Sequence, residues 1–515
     1  MALAKIKSAA VIGLTAIPID VEADISNGLP TFKIVGLPDK AVEESRERVR
    51  AAIKNTKMHM PDRRITVNLA PADVKKVGPA YDLPIAVGLL TASQQINLPD
   101  EPAIFIGELA LNGELRHTNG IIAAASMARS RNFRRIFVPK INAKEAALVE
   151  GLEVIPLGSL QDLVLHLREE RVIIPHPREK IIPEITIADN DMKNIAGQEQ
   201  AKRALEISAA GAHNLLMTGP PGSGKTMLAR AMSGILPEMS LNEVLEITNI
   251  YSVAGLLGEK PLISSRPFRS PHHTSSYVAL VGGGNVPQPG EITLAHRGVL
   301  FLDELLEFPR QVLEVLRQPL EDGQVHVARA AGKITFPARF IMIAAKNPCP
   351  CGYFGDESKP CKCSAGQIEN YNKRISGPLL DRIDIHIEVP RVEYRKLTSE
   401  ISGESSMNIR ERVSSARAIQ LERFKNTKTT TNSEMGTEEL KAHCILDDEG
   451  EGLMEQAMHT YQLSPRSYTR ILKVARTIAD LACPRTSPQD AARENSPTIK
   501  PQHLAEAIRY KIVED

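Results

Sequence analysis

The fold of this 515-residue chain is decided by the stretch Gly219-Pro220-Pro221-Gly222-Ser223-Gly224-Lys225-Thr226. An apolar run at 214–218 predicts a strand directly before it, and residues 227–233 predict a helix directly after it. In a strand, loop and helix of this kind, glycines let backbone N–H groups wrap phosphates, and the helix N-terminus adds partial positive charge. Lys225 would neutralise β- and γ-phosphate oxygens, and Thr226 would ligate Mg²⁺. The stretch therefore predicts a P-loop that binds ATP together with Mg²⁺.

A second apolar strand, predicted at 298–302, ends in the acidic pair Asp303 and Glu304. Beside a P-loop, Asp303 would hold Mg²⁺ through its water shell, and Glu304 would orient and deprotonate the attacking water. A third predicted strand, 340–345, ends near Asn347, whose amide would position that water. Taken alone, an asparagine after a strand is more often a turn residue. The two acidic residues and the P-loop support each other and predict ATP hydrolysis.

Arginines in the second half of the chain are candidates for the group that completes such a site. Arg382 lies in Leu-Leu-Asp-Arg-Ile-Asp, and Arg466 and Arg470 lie in Ser-Pro-Arg-Ser-Tyr-Thr-Arg. An arginine finger supplied by a neighbouring subunit implies a ring, and it can raise the rate of phosphoryl transfer by about 10³-fold or more. The alternative is a surface ion pair that contributes less than about 1 kcal/mol.

Length and charge limit the kind of protein. A chain of 515 residues exceeds what one hydrophobic core supports, so we expect about two to four domains. Lys and Arg number 63 against 62 for Asp and Glu, so any binding to nucleic acid must use local patches. Aromatic residues make up 4% of the chain and Trp is absent, which disfavours a carbohydrate cleft or an extended base-stacking platform.

The N-terminus combines features of a signal peptide with those of a strand. Lys5 and Lys7 precede an apolar run at 9–19, but that run continues into alternating residues at 19–22 without a small-residue cleavage site. A buried strand fits this pattern better. No other apolar stretch reaches the roughly 18 residues of a membrane span. We expect a cytoplasmic protein that does not enter a membrane and keeps its six cysteines reduced.

The pattern along the chain predicts four segments. Residues 1–170 alternate short β-like runs with helical stretches, which indicates a mixed α/β domain. Residues 171–191 are rich in proline and predict a linker. In 192–395, predicted strands each precede a helix or a Gly-rich turn, which is typical of a doubly wound parallel sheet. Residues 396–515 predict a helical domain with amphipathic helices at 466–482 and 501–510.

Two further segments are candidates for contact with DNA. Residues 324–329 and 333–336 alternate around Ala330-Ala331-Gly332 and predict a hairpin that carries Arg329 and Lys333. In a ring, these side chains would grip phosphates in the channel without reading sequence, so binding would be salt-sensitive. A solvated hairpin without a ligand is the alternative. The second segment, 266–284, carries Arg269, His272 and His273 and a Gly-rich turn, and would be a channel loop or a subunit contact.

Four of the six cysteines, Cys349, Cys351, Cys361 and Cys363, lie within fifteen residues. Four thiolates at this spacing in a reducing compartment suit one tetrahedral, structural Zn²⁺ that holds the loop 349–363 together. The spacing Cys-x-Cys is shorter than the usual Cys-x-x-Cys of zinc sites. We expect Cys444 and Cys483 to be ordinary buried thiols.

The chain resembles the magnesium-chelatase-like AAA+ proteins, and among them the ComM (YifB) subfamily, over essentially its whole length. The P-loop carries the resemblance together with Gly36-Leu37-Pro38-Asp39, Val67-Asn68-Leu69-Ala70-Pro71-Ala72-Asp73, Gly197-Gln198, Arg269-Ser270-Pro271-His272-His273-Thr274, Asn347-Pro348-Cys349-Pro350-Cys351-Gly352 and Val474-Ala475-Arg476-Thr477-Ile478-Ala479-Asp480-Leu481. The resemblance implies an α/β AAA+ core with a helical lid, in a homo-hexameric ATPase ring that moves DNA. It implies branch migration of recombination intermediates during natural transformation. It also implies that Asn347 is sensor 1, Arg382 the finger acting in trans and Arg466 sensor 2, with Arg470 as the alternative.

The N-terminal segment resembles the peptidase domain of Lon, a ribosomal S5 domain 2-like α/β fold, chiefly in 106–116. The Lon catalytic pair is absent, because Ala80 stands where Lon has its serine, and Ala124 aligns with its lysine. Without a hydroxyl and an amine to activate it, covalent acyl transfer cannot occur there. The resemblance therefore implies a non-proteolytic scaffold or a module that docks on DNA.

Three functions remain open from the sequence. A DNA motor predicts ATPase activity that DNA stimulates and ATP-dependent movement of branched junctions. A metal-chelatase motor subunit predicts a partner that delivers a porphyrin and no dependence on DNA; the Lon-like domain and the cysteine loop are not expected in such a subunit. An ATP-dependent protease or unfoldase is the third. Ala80 and Ala124 argue against the protease, because they stand where Lon has its catalytic serine and lysine.

Overall fold

The computed structural model describes residues 2–178, 191–258, 262–284, 287–329, 332–356, 359–392, 403–483 and 498–511. Contacts divide the chain into two compact units, one of Met1–Ile182 with Leu241–Ile263 and one of Pro183–Ser240 with Ser264–Asp515. Among the described helices, none is long and apolar enough to cross a membrane. All six cysteines are described, and no disulfide joins any two of them.

The strands, in chain order, are β1 Ala2–Ile12, β2 Thr15–Ser26, β3 Thr31–Val35, β4 Arg64–Ala70, β5 Ala103–Phe105, β6 Glu108–Leu109, β7 Leu115–Arg116, β8 Arg135–Pro139, β9 Glu153–Leu157, β10 Leu215–Thr218, β11 Phe268–Arg269, β12 Gly282–Gly283, β13 Gln288–Pro289, β14 Val299–Leu302, β15 Gln324–Arg329, β16 Gly332–Pro337, β17 Ile341–Lys346 and β18 Ile385–Glu388.

The α-helices are α1 Lys40–Asn55, α2 Asp82–Ala92, α3 Ile121–Ser130, α4 Ala143–Ala146, α5 Leu160–Leu167, α6 Glu199–Gly211, α7 Lys225–Ile235, α8 Leu241–Val253, α9 Tyr277–Val281, α10 Glu291–Leu294, α11 Arg310–Val315, α12 Arg317–Asp322, α13 Ala365–Asn372, α14 Gly377–Leu380, α15 Ser406–Arg423, α16 Thr437–His443, α17 Asp448–Thr460, α18 Pro465–Leu481 and α19 Pro501–Arg509. Short 3₁₀ turns lie at Pro79–Tyr81, Lys140–Asn142, Met192–Asn194, Leu305–Glu307 and Asn432–Glu434.

The first unit is built on a mixed seven-stranded sheet of order β3-β4-β2-β1-β5-β8-β9. The alternation that begins at residue 19 places every second side chain of β2 inside, from Ile19 to Ile25. Helix α1 starts because Asp39 caps it, its carboxylate accepting from the N–H of Val42 at 2.9 Å. These elements confirm the mixed α/β pattern predicted for the N-terminal segment.

Helix α8 belongs by its contacts to the first unit, although the sequence analysis placed residues 241–263 in the second domain. It packs against α3, and Ser252 bonds to the buried carboxylate of Glu145 and accepts from the N–H of Gly120 at 3.0 Å. Glu145 also accepts from the N–H of Ile122 at 3.2 Å. Contacts alone group this segment with the first unit, through hydrogen bonds between residues more than a hundred positions apart that leave no local pattern in the sequence. The other predicted boundaries stay predictions, and residues 179–190 of the predicted linker lie outside the described residues.

The second unit contains a five-stranded parallel sheet of order β11-β14-β17-β10-β18. This confirms the predicted parallel sheet flanked by helices. The strand before the P-loop, β10, lies between β17 and β18, and β14 lies on the far side of β17. Because the strands are parallel, their carboxyl ends meet at one edge, which is where ligands bind in sheets of this class. Residues that follow β10, β14 and β17 are thereby brought together.

The helices after the sheet share its hydrophobic core. Helix α15 packs on α6 and α7, and α18 packs on α6 and α19. The guanidinium of Arg410 on α15 donates to the carbonyl of Gly234, in the last turn of α7, at 2.8 and 2.6 Å. A cation at this end stabilises the helix because its carbonyls carry partial negative charge. Helices α18 and α19 confirm the two amphipathic helices predicted near the C-terminus.

Candidate nucleotide-binding site

The P-loop connects β10 to α7, as its sequence predicts. Gly222 and Gly224 adopt positive φ angles of 77° and 92°, which glycine adopts without strain. Gly219 approaches the carbonyl of Val389 so closely that a Cβ there would lie 2.2 Å from its oxygen. Only glycine fits both needs, so the loop's backbone N–H groups can form a cradle for phosphate oxygens.

Lys225 begins α7 and turns back over the loop. Its ammonium donates to the carbonyls of Gly219 at 2.7 Å and Pro220 at 2.9 Å, and it lies 3.4 Å from Oδ1 of Asn347. Burial lowers the pKa of Lys225, and the negative charges of Asp303 and Glu304 oppose this shift. No salt bridge to Lys225 forms among the described residues, and a buried cation is costly without a negative partner, so this lysine suits a site that receives an anion.

The acidic pair after β14 faces the P-loop. The hydroxyl of Thr226 donates to Oδ2 of Asp303 at 2.7 Å, and Oδ1 of Asp303 accepts from the N–H of Glu304 at 3.0 Å. A hydroxyl and a carboxylate side by side are hard oxygen donors of the kind that Mg²⁺ prefers. Glu304 has φ of 51°, in the left-handed region, and its side chain remains half exposed. Such a backbone conformation in a non-glycine residue is a recurrent feature of functional sites.

Asn347 follows β17, the strand between β10 and β14, and its side chain reaches Lys225. The P-loop, the acidic pair and Asn347 are therefore adjacent, as predicted. Gln198, which entered the sequence analysis only as part of a family motif, also touches the loop. Its amide donates to the carbonyl of Ser223 at 3.4 Å and to that of Pro390 at 2.6 Å. Nothing local in the sequence signals this contact, because Pro390 lies 192 residues further along the chain.

Arg382 and Arg466, the predicted finger and sensor 2, meet on one carboxylate that the sequence analysis did not identify. Glu321, near the end of α12, accepts from the guanidinium of Arg466 at 3.1 Å and also bonds to that of Arg382. Arg382 donates in addition to the carbonyl of Pro378 at 2.7 Å. Burial lowers the pKa of Arg382, and the neighbouring charge of Arg466 adds to this effect. The two arginines thus form one cationic cluster.

Arg470, the alternative for sensor 2, has a different role. It pairs with Asp384, whose side chain is 1% exposed. Burial alone would raise the pKa of Asp384, but the charge of Arg470 and the hydrogen bond with the His213 ring outweigh it and lower this pKa. Asp384 also accepts from the N–H of Asn214, directly before β10, at 3.0 Å. Arg470 therefore pairs with a buried carboxylate next to the start of β10, and the assignment of sensor 2 to Arg466 stays a prediction.

Among the residues predicted to contact DNA, His272 and His273 lie beside the candidate nucleotide site, whereas Arg269 is engaged in an ion pair. Arg269 forms a two-point ion pair with Glu291, at 2.7 and 2.6 Å, which ties β11 to α10. Nδ1 of His273 lies 3.4 Å from the carboxylate of Glu304. His272 stacks on His273, with ring centroids 4.1 Å apart, and bonds to Thr274 at 2.8 Å. A role for His273 in holding Glu304 thus fits the geometry better than a role in holding DNA.

The predicted hairpin is present as the antiparallel pair β15 and β16, in which Ala328 faces Lys333 and Arg329 faces Gly332. Ala330 and Ala331, and the side chains of Arg329 and Lys333, lie outside what the structure describes. A second hairpin, β12 and β13, contains the predicted Gly-rich turn, and β12 contacts β15. Both candidate DNA segments therefore contribute to one pair of adjoining hairpins.

The cysteines of the predicted metal site converge. One sulfur each from Cys349, Cys351, Cys361 and Cys363 lies within 4.8 Å of all the others, and Cys349 is buried. The distance between Sγ atoms is 3.4 Å from Cys349 to Cys351 and 3.6 Å from Cys349 to Cys361. Four thiols at such distances match the donor set of a tetrahedral zinc site. Cys444 is buried as expected, and burial raises the pKa of its thiol to about 11.

In the first unit, the two positions aligned with the Lon catalytic pair are close to one apolar cluster. Ala124 on α3 is part of this cluster, which also contains Ile104, Ile121 and Ile136, and Ala80 packs against it. An apolar environment of this kind would not favour a charged nucleophile or base.

Family models and relatives agree with this architecture. Models described as magnesium chelatase, subunit ChlI, as subunit ChlI of Mg-chelatase, and as magnesium chelatase, subunit ChlI C-terminal, match residues 191–397, 21–142 and 403–511, respectively. The competence protein ComM of Haemophilus influenzae is 43% identical over 518 residues, which cover 99% of this chain and 98% of that protein. YifB of Escherichia coli is 42% identical over 518 residues, with coverage of 100% and 98%. The magnesium-chelatase 38 kDa subunit of Cereibacter sphaeroides is 27% identical over 186 residues, which cover 30% of this chain and 51% of that protein. The chain belongs to the magnesium-chelatase-like AAA+ proteins, in the ComM (YifB) subfamily.

Proposed function

We propose that this protein is an ATPase that hydrolyses ATP to ADP and phosphate at the site around Lys225. The observation that carries the proposal is the convergence of Lys225, Thr226, Asp303 and Asn347 from three neighbouring parallel strands, through contacts of 2.7 to 3.4 Å. Phosphoryl transfer depends on positioning and charge stabilisation more than on covalent chemistry, and these residues supply both.

Each residue has a separate part in this mechanism. Lys225 and the P-loop N–H groups would bind the β- and γ-phosphates, while Thr226 and Asp303 would hold Mg²⁺ directly and through water. Bound Mg²⁺ supplies further screening of phosphate charge. Glu304 would accept the proton of the attacking water, and Asn347 would orient that water. His273, 3.4 Å from Glu304, would keep this carboxylate in position.

The arginine cluster supports a ring. Arg382 and Arg466 contact Glu321, whereas Lys225 contacts the loop carbonyls and Asn347. We propose that the protein assembles as a homo-hexamer in which Arg382 reaches the γ-phosphate bound by the next protomer and Arg466 acts beside it as sensor 2. Hydrolysis would then depend on assembly, because each site is completed by its neighbour.

We propose that the ring moves DNA, as a helicase that drives branch migration of recombination intermediates in natural transformation. The name competence protein, borne by the relative from Haemophilus influenzae, supports this role. The adjoining hairpins β12–β13 and β15–β16 supply candidate segments, and we propose Arg329 and Lys333 of β15 and β16 as the residues that contact phosphates. Binding that uses phosphates alone is independent of sequence and sensitive to salt.

Structural Zn²⁺ at the four cysteines and a non-catalytic role for the N-terminal domain complete the proposal. The fit of the thiols to zinc rests on their mutual distances. Ala80 and Ala124 lack the groups for peptide hydrolysis, so we assign this Lon-like domain a scaffolding or DNA-docking role. An unfoldase that degrades protein is accordingly disfavoured, and degradation of casein by the purified protein would revive it.

A metal-chelatase motor subunit is the second candidate, favoured by the family models that match most of the chain. The decisive experiment is ATP hydrolysis by the full chain with and without branched DNA, across a salt series. The DNA motor predicts stimulation by DNA that fades as salt rises. A rate that does not respond to DNA but rises with a porphyrin-delivering partner would establish the chelatase function instead.

Two variants test the assignment of the site itself. Lys225→Ala removes the cation that binds the phosphates, so nucleotide binding should be lost. Glu304→Gln retains the shape of the side chain but not its basicity, so ATP should bind, remain uncleaved and stabilise the ring. Nucleotide affinity and sizing by light scattering measure both effects. Wild-type behaviour of both variants would refute the assignment.

A further inference from the structure

The loop that carries the four cysteines begins two residues after Asn347. Only Pro348 separates Asn347 from Cys349, the buried member of the cluster. Proline has a fixed φ, so fewer backbone torsions can absorb a displacement of Cys349 before it reaches Asn347. The position of the Asn347 side chain is thus tied to the position of one sulfur.

The same loop packs on the P-loop. Gly352 has φ of 84° and lies against Pro221, and a Cβ at this position would be 2.6 Å from Cδ and 2.8 Å from Cγ of the proline ring. It would also lie 3.9 Å from Cγ of Asn347. Contact this close exists only because residue 352 has no side chain. One turn of the cysteine loop, closed by a hydrogen bond from Gly352 N–H to the Cys349 carbonyl at 2.9 Å, therefore lies beside Pro221, and its open Cβ position also faces Asn347.

The other end of the loop is also held. After Cys363, Ser364 caps helix α13, and Asn372 in that helix accepts from the ammonium of Lys346, the last residue of β17, at 3.2 Å. Between these fixed ends, the convergence of Cys361 and Cys363 on Cys349 and Cys351 closes the loop. Loops of this composition have no apolar core, and a metal supplies the missing stabilisation.

We infer that a divalent metal bound by these four cysteines positions Asn347 and Pro221, so that the metal site supports nucleotide hydrolysis from outside the nucleotide site. The inference rests on the ATPase function proposed above. The cysteines and Gly352 are positioning residues, since the proposed phosphate-binding groups are those of the P-loop and Lys225. Loss of the metal makes the position of Asn347 less defined and so slows ATP hydrolysis. A side chain at position 352 that displaces Pro221 weakens nucleotide binding by the P-loop.

The first test removes metal ligands at the far end of the loop, in Cys361→Ser/Cys363→Ser, and leaves the Asn347-Pro348-Cys349 tether unchanged. Metal content, measured by mass spectrometry with zinc as the metal supplied, should be lost, and kcat should fall by roughly 10- to 100-fold. In an Asn347→Ala background the same double substitution should cause no further fall in kcat, because its effect passes through Asn347. Cys363→His keeps a zinc ligand and should retain both metal and kcat.

The second test leaves the metal in place. Gly352→Ala puts a methyl group into Pro221, so metal content should stay at the wild-type level while the Kd for an ATP analogue rises about 10-fold. Gly355→Ala is the matched control, because Gly355 lies in the same loop with φ of 75°, and a Cβ there meets nothing within 4 Å. This variant should bind nucleotide like the wild type.

The inference is refuted if the metal-free double variant keeps wild-type kcat, or if it loses as much in the Asn347→Ala background as in the wild type. It is also refuted if Gly352→Ala and Gly355→Ala bind nucleotide equally. Should the double variant fail to fold, removal of zinc from the wild-type protein by a zinc-selective chelator in excess Mg²⁺, followed by zinc addition, tests the same claim. If the wild-type protein itself fails to hydrolyse ATP, the proposed function is wrong, which separates the two failures.

Discussion

At the scale of single residues, Glu321 connects two functional candidates that lie far apart in the chain. Arg382 and Arg466 are 84 residues apart, yet both contact this carboxylate. Arg382 is 8% exposed in its side chain, whereas Glu321 is half exposed. Two like charges held side by side need a negative neighbour, and here one carboxylate serves both. The orientation of Arg382, the proposed finger acting in trans, and of Arg466, the proposed sensor 2, therefore depends on Glu321.

We expect Glu321→Gln to lower kcat for ATP by about 10-fold, because a neutral amide holds two guanidinium groups less firmly. Nucleotide affinity should be unchanged, since the hydrogen bonds described for Glu321 go to Arg382 and Arg466 and not to the P-loop. Steady-state hydrolysis and equilibrium binding separate the two effects. Glu422→Gln, which removes an exposed ion pair with Lys425 near the end of α15, is the control. Equal effects of the two substitutions would contradict a special role for Glu321.

His273 offers a second residue-level prediction. Its ring lies beside Glu304, whereas the ring of its neighbour His272 bonds to Thr274. His273→Ala should reduce kcat by about 10-fold through misplacement of Glu304, and His272→Ala should have a smaller effect. Both are measured by ATP hydrolysis without DNA, so that any contribution to DNA binding does not enter. A larger loss of kcat in His272→Ala than in His273→Ala would show that His272, and not His273, positions Glu304.

At the scale of elements, a buried polar network joins the helices of the second unit. Asp480 on α18 accepts from Arg423 at the end of α15, at 2.6 and 2.8 Å, and from Asn432 in the connecting segment at 2.8 Å. The Asp480 and Arg423 side chains are at most 1% exposed. The polar segment between α15 and α16 thus contributes its own buried residue to the packing of the helices, rather than lying as a solvated connection.

Asp480→Ala should lower the free energy of unfolding by about 3 kcal/mol or more, because it leaves buried guanidinium groups without this carboxylate. Chemical denaturation followed by circular dichroism measures the change. Asp447→Ala is the control, because Asp447 also sits in this region but only caps α17, a role that contributes about 1 kcal/mol. If both substitutions cost the same, the network does not stabilise the helices as described.

At the scale of the whole molecule, two histidines of the second unit, the buried His213 and the partly buried His386, make stability depend on pH. Burial lowers the pKa of His213, and it lowers the pKa of His386 to about 3. In the unfolded chain these groups bind protons near their ordinary value of 6.5. Below pH 6.5 the unfolded state therefore binds protons at these histidines, and the folded state does not. The contribution of the neutral histidines to stability is complete above pH 6.5 and decreases as the pH falls below it.

We expect the free energy of unfolding to fall between pH 7.5 and 5.5, with each such histidine contributing a slope of up to about 1.4 kcal/mol per pH unit. His386→Gln should flatten this dependence, because glutamine does not titrate. His459→Gln, at an exposed position on α17, should leave it unchanged. Denaturation curves at several pH values provide the slopes. A slope identical in all three proteins would contradict the assignment to buried histidines.

Much of this protein was predictable from local sequence. The strands β10, β14 and β17, the P-loop and the acidic pair follow from apolar runs, glycines and charges within a few residues of one another. The spacing of the four cysteines also predicted a cluster, because these residues are close in sequence. Such features depend on short-range chemistry, in which each residue type has a limited set of conformations and partners.

Other features depend on residues that only the fold brings together. Helix α8 joins the first unit through Ser252 and Glu145, Glu321 joins Arg382 to Arg466, and His273 lies next to Glu304. The pairing of Arg470 with the buried Asp384 likewise comes from the fold. The sequence by itself determined the kind of chemistry and the strands that carry it. The tertiary structure decided which charged side chains are paired, because an ion pair needs two groups within a few ångströms, and chain separation does not reveal that distance.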